Sequence, residues 1–139
     1  MDNKIIFLPV IVQIALTLYL YVYLAIVKAR AVKAAEVNET RRALYDDAWP
    51  ESVIKVNNCI RNQFEIPVLF YVLIGMLWST GAVNIVVHIA AWLFVLSRIA
   101  HAIVHTGSNY VPLRRRLFMF GCSLLIGITI FSTYYLLLV

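Results

Sequence analysis

RNQFEIPVLFYVLIGMLW, running from Arg61 to Trp78, begins with arginine, asparagine and glutamate and then turns almost wholly apolar. Charged side chains are costly in hydrocarbon and are rare in membrane spans unless they pair or line a site. Placing Arg61, Asn62 and Glu65 at the mouth of such a run therefore has two readings. They hold helices together, or they build a polar site at membrane depth.

The composition sets the class. Hydrophobic residues make up 63% of the chain and charged residues 14%, against about 45–50% and about 25% in ordinary globular domains. The 139 residues suffice for one domain, and a soluble fold of that size has no interior large enough for so much apolar surface. An integral membrane protein is expected. The net charge of +5 belongs to membrane orientation rather than to nucleic acid, because no basic stripe alternates with aromatic residues. Cys59 and Cys122 make no disulfide framework. Both fall in segments read as helical, where free cysteine packs as a small hydrophobe, with a nucleophilic Cys59 as the alternative. The first apolar run follows a single lysine, Lys4, and is too long for the core of a signal peptide, so it reads as a retained span.

Working outward from the opening stretch gives four apolar segments. The first, Ile5 to Val27, would extend about 35 Å as a helix, enough to cross a hydrocarbon layer of about 30 Å. The second begins near Ser52 and is strongly apolar from Ile66 to Trp78; the third runs from Val83 to His105 and the fourth from Leu117 to Val139. STGAVN, between spans two and three, is a short uncharged turn of the kind that joins antiparallel neighbours. The apolar runs are continuous rather than alternating, which excludes a β-barrel. The expected architecture is all-α, a four-helix transmembrane bundle formed by residues 1–139 as a single membrane domain.

Basic residues give the expected orientation. Lys28, Arg30, Lys33, Arg41, Arg42 and Lys55 lie between spans one and two, and Arg114, Arg115 and Arg116 between spans three and four. Those two loops are expected to be cytoplasmic, with both termini on the opposite side. The alanine-rich KARAVKAAEVNETRRAL favours helix beyond the first span. Pro50 and Glu51 then suit the start of a new helix.

Two polar faces emerge from helical spacing. Asn58, Arg61, Asn62 and Glu65 share one face of span two, with Lys55 extending it, and Arg98, His101 and His105 share one face of span three. Counted from the common turn, Glu65 lies 15 residues before Thr80 and Arg98 lies 14 residues after Asn84. At about 1.5 Å per residue both sit about 21–23 Å from that end. Glu65 is expected to pair with Arg98, or with Arg61 one turn away. A single glutamate cannot balance Arg61, Arg98 and the arginines at 114–116. The surplus suits an anionic ligand such as a carboxylate or a thiolate. Alternatives stand beside each reading: the Glu65–Arg98 pair as scaffold, Arg114 to Arg116 as an orientation signal, and His88 as a helix–helix contact. His101 and His105 form an HxxxH, but no third or fourth metal ligand accompanies them, so no metal site is assigned.

At these residues the chain resembles the MAPEG family (membrane-associated proteins in eicosanoid and glutathione metabolism). The resemblance rests on Asn62-x-x-Glu65 followed by Pro67 and an apolar run, and on Arg98-x-x-His101 followed by Gly107, Pro112-x-Arg114 and span four. It implies a homotrimer of four-helix subunits with sites between neighbours near the cytoplasmic leaflet. It further implies a membrane-embedded transferase or peroxidase that uses glutathione, or a related small thiol, on lipophilic substrates reaching it from the lipid. Carried over by position, Asn62 and Glu65 contact or shape a glutathione pocket, Arg98 supports the charge network, and Arg114 stabilises the thiolate as the catalytic residue. Arg61, His101 and His105 complete the expected binding set. Two positions depart from the family pattern. Asn58 stands where glutathione-binding members place an arginine, and His105 where some place a tyrosine. The alternatives are a MAPEG-like scaffold that does not use glutathione, and a small four-helix membrane transporter working through Glu65.

Overall fold

The computed structural model describes residues 3–138, so the expected end of span four at Val139 lies outside the described residues. Five α-helices follow a short tighter helix at Asn3–Ile6: α1 (Phe7–Lys33), α2 (Glu51–Gln63), α3 (Ile66–Ser79), α4 (Ile85–Thr106) and α5 (Val111–Leu138). Taken with α2 and α3 as one span, they give four segments long and apolar enough to cross a membrane. The four-helix transmembrane class expected from the sequence is the observed one. The end carrying the α1–α2 and α4–α5 connections is called the loop end below, and the end carrying the α3–α4 connection the turn end.

The boundaries follow local chemistry. The alanine-rich stretch does carry α1 past Val27, but only to Lys33. There Ala35 takes a left-handed φ of 55°, and the Glu36 and Ala35 amides donate to the Ala31 and Val32 carbonyls. This cap satisfies the last carbonyls of the helix and stops it. Residues 37–49 then fold back on themselves, with the Asn38 amide donating to the Ala48 carbonyl and Arg41 ion-paired to Asp47. α2 starts after Pro50, and α4 is capped by the Asn84 side chain, which accepts from the Val87 amide at 3.0 Å. α5 begins at Val111, earlier than apolarity alone indicated. Proline is tolerated in a first turn, and arginine is a good helix former.

The expected second span is a broken helix. Pro67 has no N–H for the Gln63 carbonyl, and its ring opposes that carbonyl sterically. α2 therefore closes with short-range bonds from the Phe64 and Glu65 amides to the Arg61 and Asn62 carbonyls. Helix resumes at Ile66. Glu65 sits in the gap, with φ −95° and ψ −109°.

The apolar interior has two parts. Towards the turn end, Ile6, Phe70, Ile74, Leu77, Phe94 and Val95 pack with Leu125 and Ile128 of α5. The Phe70 and Phe94 rings stack there at 4.5 Å. Towards the loop end, Leu20, Val27 and Ala31 of α1 meet Val53, Val56 and Ile60 of α2 and Ala102 of α4. Gly121 lets α5 pack closely on α3 and α4: a Cβ there would lie 3.3 Å from Ile66 Cδ1 and 3.4 Å from Ser97 Oγ.

Candidate functional site

Between the two apolar parts, α4 turns polar. Arg98, His101 and His105 share its inward face at 1%, 2% and 4% exposure. Burial of this kind normally comes with hydrogen-bond partners. Here Arg98 Nε and Nη2, His101 Nδ1 and His105 Nδ1 have none among the described residues. The Arg98 guanidinium lies over the Phe118 ring at 5.4 Å from its centre, a contact that offsets part of the desolvation of a cation. The two imidazoles meet edge to face at 5.4 Å, and His101 also contacts Phe118.

Arg114 enters the same region from the first turns of α5. It is half-buried and donates to the side-chain oxygen of Asn109, itself held at a φ of 52°. Arg98 and Arg114 are both electrostatic neighbours of His101 and His105. The adjoining ends of α4 and α5 thus gather two guanidiniums and two imidazoles, with Arg114 half-buried and the other three buried. Among the described residues no three His, Cys, Asp or Glu side chains gather as a metal site.

The α2 residues behave differently from expectation. The expected Glu65–Arg98 pair does not form, nor does the Glu65–Arg61 alternative. Glu65 is exposed in the gap between α2 and α3, so it no longer continues the face of Asn58, Arg61 and Asn62. It remains an electrostatic neighbour of Arg98, together with Cys122 and Cys59. Arg61 is ion-paired to Asp46 from the folded loop, and it also donates to the Asn58 side chain at 3.4 Å. Asn62 donates back to the Asn58 carbonyl at 2.9 Å. Of the expected site residues, Arg98, His101 and His105 come together in the interior, with the half-buried Arg114 beside them. Arg61, Asn62 and Glu65 lie on the outer side of the α2–α3 junction.

Sequence reasoning missed four participants. Gln13 donates to Gln63 at 2.8 Å across the α1–α2 interface, both side chains being buried. Gln63 passes the bond on to the Cys59 carbonyl. The signal was present: a lone glutamine inside an apolar span is a polar residue without reason unless it bonds another helix. Asp46 and Phe118 carried no comparable signal, since one depends on how a loop folds and the other on helix rotation.

A cleft of ≈ 540 Å³ opens between α3 and α5, lined by Ile66, Leu69, Leu73, Cys122, Leu125 and Ile126. Its size suits a small ligand, and its lining is apolar apart from the cysteine and Thr129.

Compared with known protein families, residues 6–134 match the MAPEG family. The chain belongs to the MAPEG family. The match takes in α1 to α4, α5 as far as residue 134, and every residue of the buried polar face. It agrees with the four apolar spans in making this an integral membrane protein. No curated protein and no solved structure matches the chain. Within this MAPEG chain, the buried cationic and imidazole groups come from α4, with Arg114 half-buried beside them on α5, while α1 and α2 contribute the buried Gln13–Gln63 pair.

Proposed function

We propose that this MAPEG chain is a membrane-embedded transferase or peroxidase that uses glutathione, or a related small anionic thiol, on lipophilic substrates. One observation carries the reading: Arg98 is buried at 1% exposure without a counter-anion among the described residues. A buried cation left unpaired is costly, so the arrangement suits a ligand that brings the negative charge. A thiolate is such a ligand, and guanidiniums favour the thiolate over the thiol. Arg114, held by Asn109 at the same end, is the residue assigned to the sulfur. Arg98, His101 and His105 complete the buried wall, and Arg61, Asn62 and Glu65 line the approach. The reading includes a homotrimer forming one membrane unit per chain, the α1–α2 and α4–α5 loops on the cytoplasmic side, and lateral access for apolar substrates from lipid.

The test has two arms on protein purified in detergent. Millimolar glutathione should raise the melting temperature, by an amount set by its concentration over its affinity. Conjugation of a chromogenic electrophile should be lost in Arg114→Ala while the oligomer persists. Absence of any thermal shift together with absence of conjugation would remove the thiol chemistry.

The position of Asn58 favours a second reading. Its side chain accepts from Arg61, and Arg61 is turned to Asp46, so α2 presents no free guanidinium towards the interior. A scaffold that binds a different small anion fits that arrangement. In that case carboxylates lacking a thiol would stabilise the protein as well as glutathione does. Transport through Glu65 is the weaker alternative, because its electrostatic partner is Arg98 rather than an acidic cavity. It predicts proton-coupled drug uptake in vesicles that Glu65→Gln abolishes.

A further inference from the structure

The loop between α1 and α2 is folded, and it exposes apolar side chains. The Arg41 and Arg42 amides donate to the Asn38 carbonyl, and the Leu44 and Tyr45 amides to the Arg41 carbonyl. This turn holds Leu44 at 85% exposure and Tyr45 at 53%, with the Arg41 guanidinium over the Tyr45 ring at 4.8 Å. Trp49 follows, with the Lys28 amine over its ring at 4.8 Å. A fixed turn that ends in an uncovered leucine presents a surface to something apolar. Its depth identifies the partner. Arg61, ion-paired to Asp46 of the loop, precedes Ser79 at the turn end by 18 residues, about 27 Å of helix. A hydrocarbon layer of about 30 Å that begins at the turn end therefore stops just beyond Arg61, and headgroups fill about the next 5–8 Å. The pair with Asp46 draws the tip of the loop to that boundary. Apolar exposure continues from there through Phe64 into Val68 and Leu69 of the membrane-spanning α3.

We propose that this turn is an interfacial anchor: Leu44 and Tyr45 enter the boundary between headgroups and acyl chains in the leaflet at the loop end, and the Asp46–Arg61 pair sets their depth. Lipid is the occupant because the exposed patch is continuous with the lipid-spanning surface and carries the residues that favour such a boundary. Tyrosine and tryptophan have an apolar body and a polar tip, and arginine and lysine can lay an apolar stem in lipid with the charge in water. Arg41 and Arg42 are already paired within the loop, to Asp47 and Glu39. The attraction therefore comes from apolar area rather than from anionic headgroups, and a zwitterionic bilayer suffices. The ion pair and the insertion reinforce each other. An exposed pair in bulk water contributes little, whereas the same pair at a partly dry boundary is screened less. The anchor involves no thiol and no bound anion, so it stands or falls separately from the thiol-transfer reading.

The experiment places a nitroxide at Leu44→Cys in the full chain, in a Cys59→Ser/Cys122→Ser background, reconstituted into phosphatidylcholine vesicles. Collision rates are measured with oxygen, which concentrates in acyl chains, and with a nickel chelate, which stays in water. The reference is a nitroxide at Lys33→Cys, the exposed last residue of α1. The ratio of oxygen to nickel collisions at residue 44 should be several times that at residue 33. Asp46→Asn should lower it towards the reference, and the charge exchange Asp46→Arg/Arg61→Asp should restore it. Equal ratios at the two positions, or no response to Asp46→Asn, would overturn the proposal. A label sheltered from both reagents would also overturn it, by showing that a second copy of the chain covers the turn. If the cysteine-free background fails to fold, Leu44→Trp in the natural background decides the matter. Brominated phosphatidylcholine should then quench its fluorescence beyond the quenching of the wild type, and no added quenching would refute the anchor.

Discussion

The guanidinium of Arg98 faces the ring of Phe118 at 5.4 Å and meets no carboxylate among the described residues. An aromatic face is a partial substitute for an anion, and it leaves the donors of the guanidinium in the ring plane available. Among the described residues the charge of Arg98 is thus met by no direct ion pair, only by the Phe118 ring and the more distant Glu65.

That leads to an unusual expectation for Arg98→Met. Removing one member of a buried ion pair is strongly destabilising, but removing a buried charge that has no partner relieves a desolvation cost. The variant should melt at or above the wild-type temperature in the absence of ligand. Glutathione at about 100 times its dissociation constant should stabilise the wild type by about 2.7 kcal/mol and the variant not at all. Paired thermal melts with and without glutathione check both halves, and a large loss of stability in the unliganded variant would refute the account.

Gln13 and Gln63 should behave as a coupled pair. Gln13→Leu leaves the Gln63 amide oxygen, which accepts at 2.8 Å, without its donor inside a packed interface. The cost should be about 1–3 kcal/mol. The double variant Gln13→Leu/Gln63→Leu should cost less than the sum of the single variants, because no orphaned amide remains. Interhelical bonds in membranes average about 0.6 kcal/mol in such cycles, so a coupling of about that size or somewhat above is expected from reversible unfolding in mixed micelles. Strict additivity would show that the two side chains do not interact.

Gly121 offers a graded test of helix packing. A Cβ there would lie 3.3 Å from Ile66 Cδ1 and 3.4 Å from Ser97 Oγ, contacts that small side-chain movements can relieve. Gly121→Ala should fold with a modest change in melting temperature. Gly121→Leu should lose about 1–3 kcal/mol or more through overpacking, and it should displace Phe118 and Cys122 relative to Arg98. Thermal melts of the two variants side by side give the comparison.

Pro67→Ala restores an amide where the Gln63 carbonyl has no helical partner, and so invites α2 and α3 to fuse into one rod. Fusion would swing Glu65 back into register with Asn62 and Arg61. The variant should remain folded and assembled yet lose most of the conjugation activity proposed above, because the approach to Arg98 and Arg114 is rearranged. Spin-label distances from residue 55 to residue 76 should lengthen relative to wild type. Unchanged distances would show that the break does not depend on the proline.

Much of the fold was legible because membrane spans are written in long apolar runs. The four spans, the turn at STGAVN and the shared face of Arg98, His101 and His105 all follow from periodicity and length. The partners of those residues were less legible. Helical spacing places Glu65 on a face only if the helix is continuous, and Pro67 breaks it. Arg61 finds Asp46 because the loop folds back, a tertiary outcome that no spacing rule contains. Glutamine 13 is the instructive omission: a single amide among aliphatic residues was itself a statement that another helix must answer it.

The division of the interior carries one more consequence. Along α4, Val95 belongs to the apolar cluster near the turn end and Ala102 to the one near the loop end, with Arg98 between them. The two halves are therefore separately anchored, and the junction between α2 and α3 articulates on the same boundary. Breathing of α1 and α2 can hydrate the guanidinium while the aromatic half beneath it stays shut. On this division the α1–α2 side is expected to open before the aromatic side, and amide hydrogen exchange should run faster along α2 than along the Phe70–Phe94 side of α3 and α4.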